Sequence, residues 1–425
     1  MKRRLMVGML ALLVSGTSFA YNWVFGPTLP FSYSHFDGEY YPPNGRVYFL
    51  GGRMPNGTTS GEIWSFDPFA GTFTDEGLAM EVPVSGYNIS LLHDTVGPDS
   101  LALYVVGGRR GDGTDINALQ VYYPISGLAM ALTSDPWPGR IGSKVSLPGH
   151  GIAVSGNKLY VFGGQNASSP PPYNTDSTYV YDPTRPAGSR WSGIPTALLS
   201  MARGDITPAV VDSNIYAIGG ASFDGALLHP TNRVERFDPA DPGAGWVQMA
   251  DIPDSLMDSQ AFGFDTGSPH GMGNHIIVAG NTGLPNCYDY RVESNDWSAF
   301  PPLNRGRNGY AGFFVPGYPN AVGMWVCGGS SDSSSEYYWT IYAVESQVVL
   351  APSSTTLHTH PSPNPFVSFT TLPGHEAERF MLYDLSGRKV GTYPGCRIGN
   401  DLGPGVYFIR AKGKTGIAAR VVKVR

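Results

Sequence analysis

Short apolar runs, each introduced by a polar turn and followed by two glycines, recur along most of the chain. The clearest copy is residues 157–164, where Asn-Lys precedes Leu-Tyr-Val-Phe and a Gly-Gly doublet. Such a run predicts a β-strand, and the glycines predict the turn that ends it. The six copies have their doublets starting at Gly51, Gly107, Gly163, Gly219, Ala279 and Gly328, at intervals of 56, 56, 56, 60 and 49 residues. This regular spacing indicates a repeat protein.

Each doublet is followed by a variable loop and a second strand that ends in an aromatic residue, often before Asp-Pro, as at Phe66 and Tyr181. A third strand then begins at or near an aromatic residue, such as Trp191, and repeat two has only Leu128 near that place. A fourth, apolar segment leads into the next doublet. Four strands per unit of about 50 residues predict the blades of a β-propeller. We expect the doublets on inner strands near the propeller axis, where space is short and glycine allows positive φ.

The sixth repeat lacks an outer strand of its own, because only one strand is visible after Gly329. Residues 22–30 at the other end of the chain resemble the third-strand segments that start at Trp246 and Trp297. We therefore predict that Trp23 starts the outer strand of the last blade. This would close the ring between the two chain ends and remove exposed sheet edges.

The apolar strand, the Gly-Gly doublet, the aromatic or Asp-Pro end of the next strand and the tryptophan after it together resemble the kelch family. The resemblance covers residues 21–347 and is best in repeats three and four. It implies an all-β fold, a six-bladed kelch-type β-propeller. It implies little about activity, because one fold serves many functions.

A different composition begins near residue 348. Residues 348–362 read as a linker, and residues 363–425 contain short strand patterns separated by Ser-Gly and Gly-Pro-Gly turns, which predict a small β-sandwich. Their ordered motifs are Pro-Asn-Pro, Tyr-Asp-x-x-Gly-Arg and Leu-x-x-Gly-x-Tyr, followed by a basic-apolar tail. This arrangement resembles the C-terminal sorting domains of the type IX secretion pathway. The resemblance implies secretion machinery as a partner.

Residues 1–20 have the pattern of a signal peptide. A basic start, an apolar run and small residues before the predicted cleavage site between Ala20 and Tyr21 support this interpretation. No later segment has the apolar length of a membrane span. We expect an exported bacterial protein, extracellular or on the outer cell surface, with no transmembrane segment in its mature chain.

Charge supports the same division of the chain. Without Lys2, Arg3 and Arg4, 25 Lys and Arg remain against 34 Asp and Glu, and from Thr359 onward the count is 10 against 4. The preceding body is strongly acidic, which argues against nucleic acid as its partner. Three cysteines, Cys287, Cys327 and Cys396, are too few and too scattered for a disulfide framework, and we expect buried free thiols.

The sequence offers no catalytic residue, metal ligand set or cofactor motif that we would assign. Residues 112–117 resemble part of a calcium loop but lack its later glutamate, so an ordinary polar turn is preferred. Arg203-Gly204-Asp205 spells an integrin-binding tripeptide, but an arginine is common at that inter-blade position in kelch repeats.

Ligand contact is expected on the loops that follow the doublets. Two long loops, residues 165–176 and 221–231, should emerge on one face, and Tyr173, Phe223 and His229 are the predicted contacts for a protein or glycan. The preferred function is an exported, non-enzymatic binding protein. The alternative is a secreted carbohydrate-active enzyme, which should bring carboxylates, or histidine and tyrosine, together at the mouth of the central channel with shifted pKa values.

Overall fold

The computed structural model describes residues 22–139, 151–165, 171, 173–264, 274–316, 323–330, 332–338, 367–372, 379–383, 389–411 and 417–423. The predicted signal peptide, its cleavage site at Ala20 and Tyr21, and the predicted linker lie outside these residues. Within the described part, no helix has the length and apolarity needed to cross a bilayer.

Each of the six repeats folds as a four-stranded antiparallel sheet, and the six sheets are the blades of a propeller. Blades 1 and 2 consist of β2 (Gly38–Tyr41), β3 (Arg46–Arg53), β4 (Thr59–Asp67) and β5 (Thr72–Ala79), and of β6 (Ile89–His93), β7 (Leu101–Val106), β8 (Leu119–Tyr123) and β9 (Leu128–Ala131). Blade 3 consists of β10 (Gly151–Ser155), β11 (Lys158–Phe162), β12 (Thr178–Tyr181) and β13 (Trp191–Gly193).

Blade 4 contains an additional hairpin between its second and third strands. Its sheet consists of β14 (Thr207–Val211), β15 (Asn214–Ile218), β18 (Val234–Phe237) and β19 (Trp246–Gln248), with the hairpin β16 (Ala221–Phe223) and β17 (Leu228–Pro230) and a 3-10 helix at Pro242–Ala244. Blade 5 consists of β20 (Gln260–Phe264), β21 (His275–Asn281), β22 (Leu284–Arg291) and β23 (Asp296–Phe300).

The chain start completes the sixth blade. Blade 6 contains β24 (Ala311–Val315), β25 (Gly323–Cys327) and β26 (Ser335–Tyr338), and its outer strand is β1 (Val24–Phe25), which pairs antiparallel with β26. Trp23, just before β1, is buried, packs its ring 5.6 Å from that of Tyr338 and donates its indole N–H to Pro301 O at 2.9 Å. The indole N–H groups of three other tryptophans also donate toward the preceding blade. Trp191 donates to Asp135 O, Trp246 to Thr178 Oγ1 and Trp297 to Ala250 O.

Aromatic pairs join the two outer strands of several blades, as the spacing of the repeats predicts. Phe66 faces Phe73 at a ring-centroid distance of 4.6 Å, and Tyr290 faces Trp297 at 4.8 Å. In blade 2, Leu128 occupies the partner position opposite Tyr123, where the other repeats have an aromatic residue.

The glycine doublets lie at the end of the second strand of each blade or directly after it, so the expected position on the innermost strand is wrong. The innermost strands, which contact one another around the axis, are β2, β6, β10, β14, β20 and β24. The doublets instead pack largely against the connections between blades. A Cβ on Gly163 would lie 2.6 Å from Arg203 O, and a Cβ on Gly219 would lie 2.5 Å from Leu256 O. Both glycines also have positive φ. The close approach of the neighbouring backbone and the backbone conformation therefore both require glycine at these positions.

The C-terminal strands are β27 (Arg379–Tyr383), β28 (Lys389–Pro394), β29 (Gly405–Ala411) and β30 (Ile417–Lys423). They form one antiparallel sheet in the order β28-β27-β29-β30 around a small apolar cluster that includes Phe380, Leu382 and Ile409. Among the described residues from 367 onward, the one β-pairing outside this sheet is an isolated bridge between Thr370 and Ile398. The second layer of the predicted sandwich stays a prediction.

The three cysteines are free in the structure. Cys287 and Cys327 are buried, but Cys396 is exposed, so the expectation of burial is wrong for Cys396. Its position in the turn after β28 explains the difference.

Candidate binding face and channel mouth

The connections between second and third strands emerge at one end of the propeller, which we call the loop face. Because the strands of each blade alternate in direction, the connections from each outer strand into the next blade lie at this end as well. The loop face therefore combines two regions: the loops after the doublets and the mouth of the central channel.

The loops of blades 3 and 4 interlock on the loop face. The Asn174 side chain donates to Phe223 O and accepts from Phe223 N, both at 2.9 Å, and thus pairs with the edge of β16. The Tyr173 ring lies 5.3 Å from that of Phe223 at an angle of 70°. It also covers Gly225, where a Cβ would meet the ring at 2.8 Å. Residues 173–174 and the blade 4 hairpin therefore form one preorganised surface.

His229 belongs to the other side of the same hairpin. Phe223 pairs with Leu228 and Ser222 pairs with His229, so alternation of side chains places His229 opposite to Phe223. The His229 Nε2 atom lies 2.8 Å from Asp224 Oδ2, and this hydrogen bond, together with those from the Leu227 and Ala226 amides, holds the pKa of Asp224 well below its usual value. Of the three predicted contact residues, the structure brings Tyr173 and Phe223 together but not His229.

Two exposed leucines extend the aromatic pair. Leu227 and Leu228 at the hairpin are 65% and 41% exposed, which is unusual for large apolar side chains on a polar loop. Sequence reasoning missed them, together with Asn174. Their only sequence signal is a Leu-Leu pair at the centre of a predicted loop.

The channel mouth is surrounded by the residues that precede the innermost strands. His35, Asp205 and Asp258 have φ values of 52°, 50° and 54°, and Gly86 and Gly309 also have positive φ. Backbone hydrogen bonds run around the axis: His35 N donates to Gly309 O at 2.6 Å, Gly86 N to His35 O at 2.7 Å, and Asp258 N to Asp205 O at 3.2 Å. These contacts join neighbouring blades.

Two carboxylates converge at this mouth. Burial, followed by the charge of Asp258, raises the pKa of Asp205 to about 7, and burial raises the pKa of Asp258 to about 6. Asp205 Oδ2 accepts from Gln165 Nε2 at 3.0 Å, and Asp258 Oδ2 accepts from Gly309 N at 2.7 Å. Burial also lowers the pKa of His35, which lines the same cavity. Sequence reasoning named none of these three side chains as site residues, because only the closed ring brings them together.

The cavity at the mouth has a volume of about 70 Å³. Ligand pockets usually have volumes of roughly 300–1,000 Å³. The space holds a few water molecules, not a sugar ring. The carboxylates fit a role in joining blades better than a role in binding substrate.

Two further sequence motifs have structural roles. Arg203 is fully buried, donates to Gly219 O at 2.7 Å and forms an ion pair with Glu235 at 2.5 Å, so the Arg-Gly-Asp tripeptide is not presented to solvent. In residues 112–117, Asp112 accepts from Thr114 N at 2.8 Å, while Asp115 forms an ion pair with Arg109 at 2.7 Å. Within the described chain, no group of three or more His, Cys, Asp or Glu residues is arranged to hold a metal ion.

Comparison with known proteins agrees with this architecture. Residues 146–196 match the family model of the Kelch motif. A human protein, Kelch repeat and BTB domain-containing protein 13, is 38% identical over 104 residues, which are 24% of this chain and 20% of that protein. The match thus spans about a fifth of the relative's length. The chain is therefore an all-β, six-bladed propeller that carries a Kelch motif.

Proposed function

We propose that this chain is an exported binding protein whose loop face holds a protein or glycan ligand. The observation that carries the proposal is the interlocked surface of blades 3 and 4. Tyr173 and Phe223 are fixed by packing and by Asn174, so little side-chain freedom is lost on binding. Aromatic residues are enriched at the centre of protein interfaces, and the exposed leucines beside them enlarge the apolar patch.

A defined glycan array and a random-peptide display library are the probes for this surface. We expect a ligand selected with the full chain to lose at least about tenfold in affinity for the double variant Tyr173→Ala/Phe223→Ala. His229→Ala should have a smaller effect, because His229 lies on the other side of the hairpin.

The matched control is Leu284→Ala, which removes a half-exposed leucine at the start of β22 in blade 5, at the same end of the propeller. Equal affinity of the aromatic double variant and the wild type would sink the proposal for this surface. A loss caused by the blade 5 control alone would move the site to that blade.

We also propose delivery to the cell surface or medium through an N-terminal signal peptide and the C-terminal domain. The ordered motifs of residues 363–425 and the basic character of this part support the second step. In a bacterium with the type IX pathway, removal of residues 363–425 should leave the propeller in the periplasm. Fractionation with blotting measures this, and N-terminal sequencing of the exported protein should begin at Tyr21. Undiminished export of the truncated chain would contradict the sorting role.

One observation favours the second candidate, a secreted carbohydrate-active enzyme. Asp205 and Asp258 meet at the channel mouth with raised pKa values, as the pair of carboxylates in a glycosidase would. The cavity of about 70 Å³ argues against it. Hydrolysis of a polysaccharide panel by the wild type, lost in Asp205→Asn and in Asp258→Asn, would establish the enzyme.

A further inference from the structure

Farther along the axis, the innermost strands of the first five blades surround a second cavity of about 340 Å³. This volume lies within the roughly 300–1,000 Å³ of small-molecule sites. Its wall consists mainly of backbone and apolar side chains, such as those of Ile89, Ile152 and Val210. The cavity is distinct from the loop face, so binding in this cavity is independent of the binding proposed for the loops of blades 3 and 4.

Glu39 is the one carboxylate that lines this cavity among the described residues. It lies on β2 opposite Tyr48 of β3, and the same register position can be read in every other blade. The residues at that position are Ser90, Ala153, Ala209, Gly263 and Phe313. Five of six blades use a small or apolar residue there, so the propeller architecture does not itself require a carboxylate.

Within the part of the chain that the structure describes, no positive charge balances Glu39. Its Oε1 atom accepts from the adjacent Tyr40 N at 3.1 Å. The ion pairs of the described residues all involve other carboxylates. Burial raises the pKa of Glu39 to about 8, and the negative charge of Asp37 contributes to this rise. A half-buried carboxylate without a cationic partner is an unfavourable arrangement that a cation would relieve.

We propose that this second cavity binds a small amphiphilic amine, with its ammonium group on Glu39 and its hydrocarbon chain along the aliphatic side chains of the wall. The ammonium would donate charge-assisted hydrogen bonds to the carboxylate. Each methylene that leaves water for the wall should tighten binding by about fourfold until the cavity is filled. The alternative is that water alone fills the cavity and that the cavity does not select amines.

Calorimetric titration of the full chain with n-hexylamine, n-butylamine, 1-hexanol and hexanoate tests the proposal, in buffer above pH 8 where Glu39 ionises. We expect hexylamine to bind at least about tenfold more tightly than hexanol, butylamine to bind more weakly than hexylamine, and hexanoate not to bind. Glu39→Gln, which keeps the side-chain volume, should abolish the preference for the amine over the alcohol. Glu81→Gln, which removes an exposed carboxylate, is the matched control and should bind as the wild type does.

A second measurement on the wild type avoids dependence on a folded variant. Titration near neutral pH in two buffers of different ionisation enthalpy should show proton release, because the bound ammonium favours the ionised form of Glu39. Equal binding of amine and alcohol, an amine affinity unchanged in Glu39→Gln, or absence of any amine binding by the wild type would each overturn the proposal.

Discussion

The connections that lead into blades 1 and 4 use the same backbone geometry with different side chains. Tyr33 O accepts from Gly329 N at 3.1 Å, and Arg203 O accepts from Gly164 N at 2.7 Å, so each connection is held by the doublet of the preceding blade. Two residues later, His35 and Asp205 have nearly equal positive φ values, 52° and 50°. The two junctions therefore share their main-chain hydrogen bond and backbone conformation, while their side chains differ.

The side chains at the two junctions make different interactions. Arg203 is fully buried against Glu235, which is buried as well. Tyr33 instead donates its hydroxyl to Glu62, a residue exposed at the surface. Blade 1 also differs in how it is reached, because the segment leading into it first serves as the outer strand of blade 6. Variants at both junctions test whether the two junctions also contribute differently to the free energy of unfolding.

Removal of residues 22–30 should have the largest effect. The deletion takes away β1 together with the buried Trp23 and Leu29 and reopens the ring at blade 6. We expect a loss greater than the roughly 3–5 kcal/mol typical of removing one buried tryptophan. Thermal unfolding measures it, with a chain starting at Asn22 as the control. An unchanged melting temperature would refute closure by this segment.

Arg203→Met should destabilise the junction into blade 4 by about 3–5 kcal/mol, because it leaves the charge of Glu235 buried without its cation. Adding Glu235→Gln to this variant should recover part of the loss, since the uncompensated charge is then gone. Urea unfolding of the two single variants and the double variant gives the coupling energy. Additive losses would show that the ion pair is not the source of the effect.

Asp205 and His35 should give the two junctions opposite responses to pH. The pKa of Asp205 is about 7 in the fold and near 4 in an unfolded chain, so the folded state binds the additional proton and stability rises as pH falls from about 7 toward 4. The pKa of His35 is lowered in the fold, so the unfolded chain takes up its proton first and stability falls below about pH 6.5.

Asparagine tolerates positive φ at both positions, which makes Asp205→Asn and His35→Asn matched variants. We expect Asp205→Asn to raise stability above pH 7 by about 2 kcal/mol and to flatten the profile between pH 4 and 7. His35→Asn should remove the loss on the acidic side. Melting temperatures across this pH range measure both, and parallel profiles for the two variants would contradict the assignment.

Tyr33→Phe should have the smallest effect. It removes one hydroxyl whose acceptor, Glu62, faces solvent, so water replaces the lost hydrogen bond and the cost is about 1 kcal/mol. Urea unfolding measures this loss beside that of Arg203→Met. A loss as large as that of Arg203→Met would mean that the two junctions are energetically alike.

Most of the propeller could be predicted from local patterns, because each blade repeats the same short-range signals. The doublet spacing, the aromatic ends of the strands and the resemblance of residues 22–30 to other outer strands lead directly to six sheets and a shared last blade. The position of the doublets was predicted wrongly, since period and composition do not say which strand of a blade faces the axis. That order depends on which strands meet across the ring.

The candidate sites could be predicted only in part. Loop length and composition pointed to Tyr173 and Phe223, which do pack together, but strand alternation in a hairpin that the sequence did not reveal places His229 on the other side. Glu39, Asp205 and Asp258 come from three different blades and have no local signature. Ring closure brings Asp205 and Asp258 together at the channel mouth, and it buries all three carboxylates so that their pKa values rise.

By itself, the sequence determined that this chain is a six-fold repeat of short strands, because turn residues and apolar periodicity act over a few residues and are written into each copy. The tertiary structure alone decided which glycines meet which backbone, which carboxylates lose their water and which aromatic residues become a surface. These properties depend on distances between residues 50 or more positions apart, and only the closed ring sets those distances.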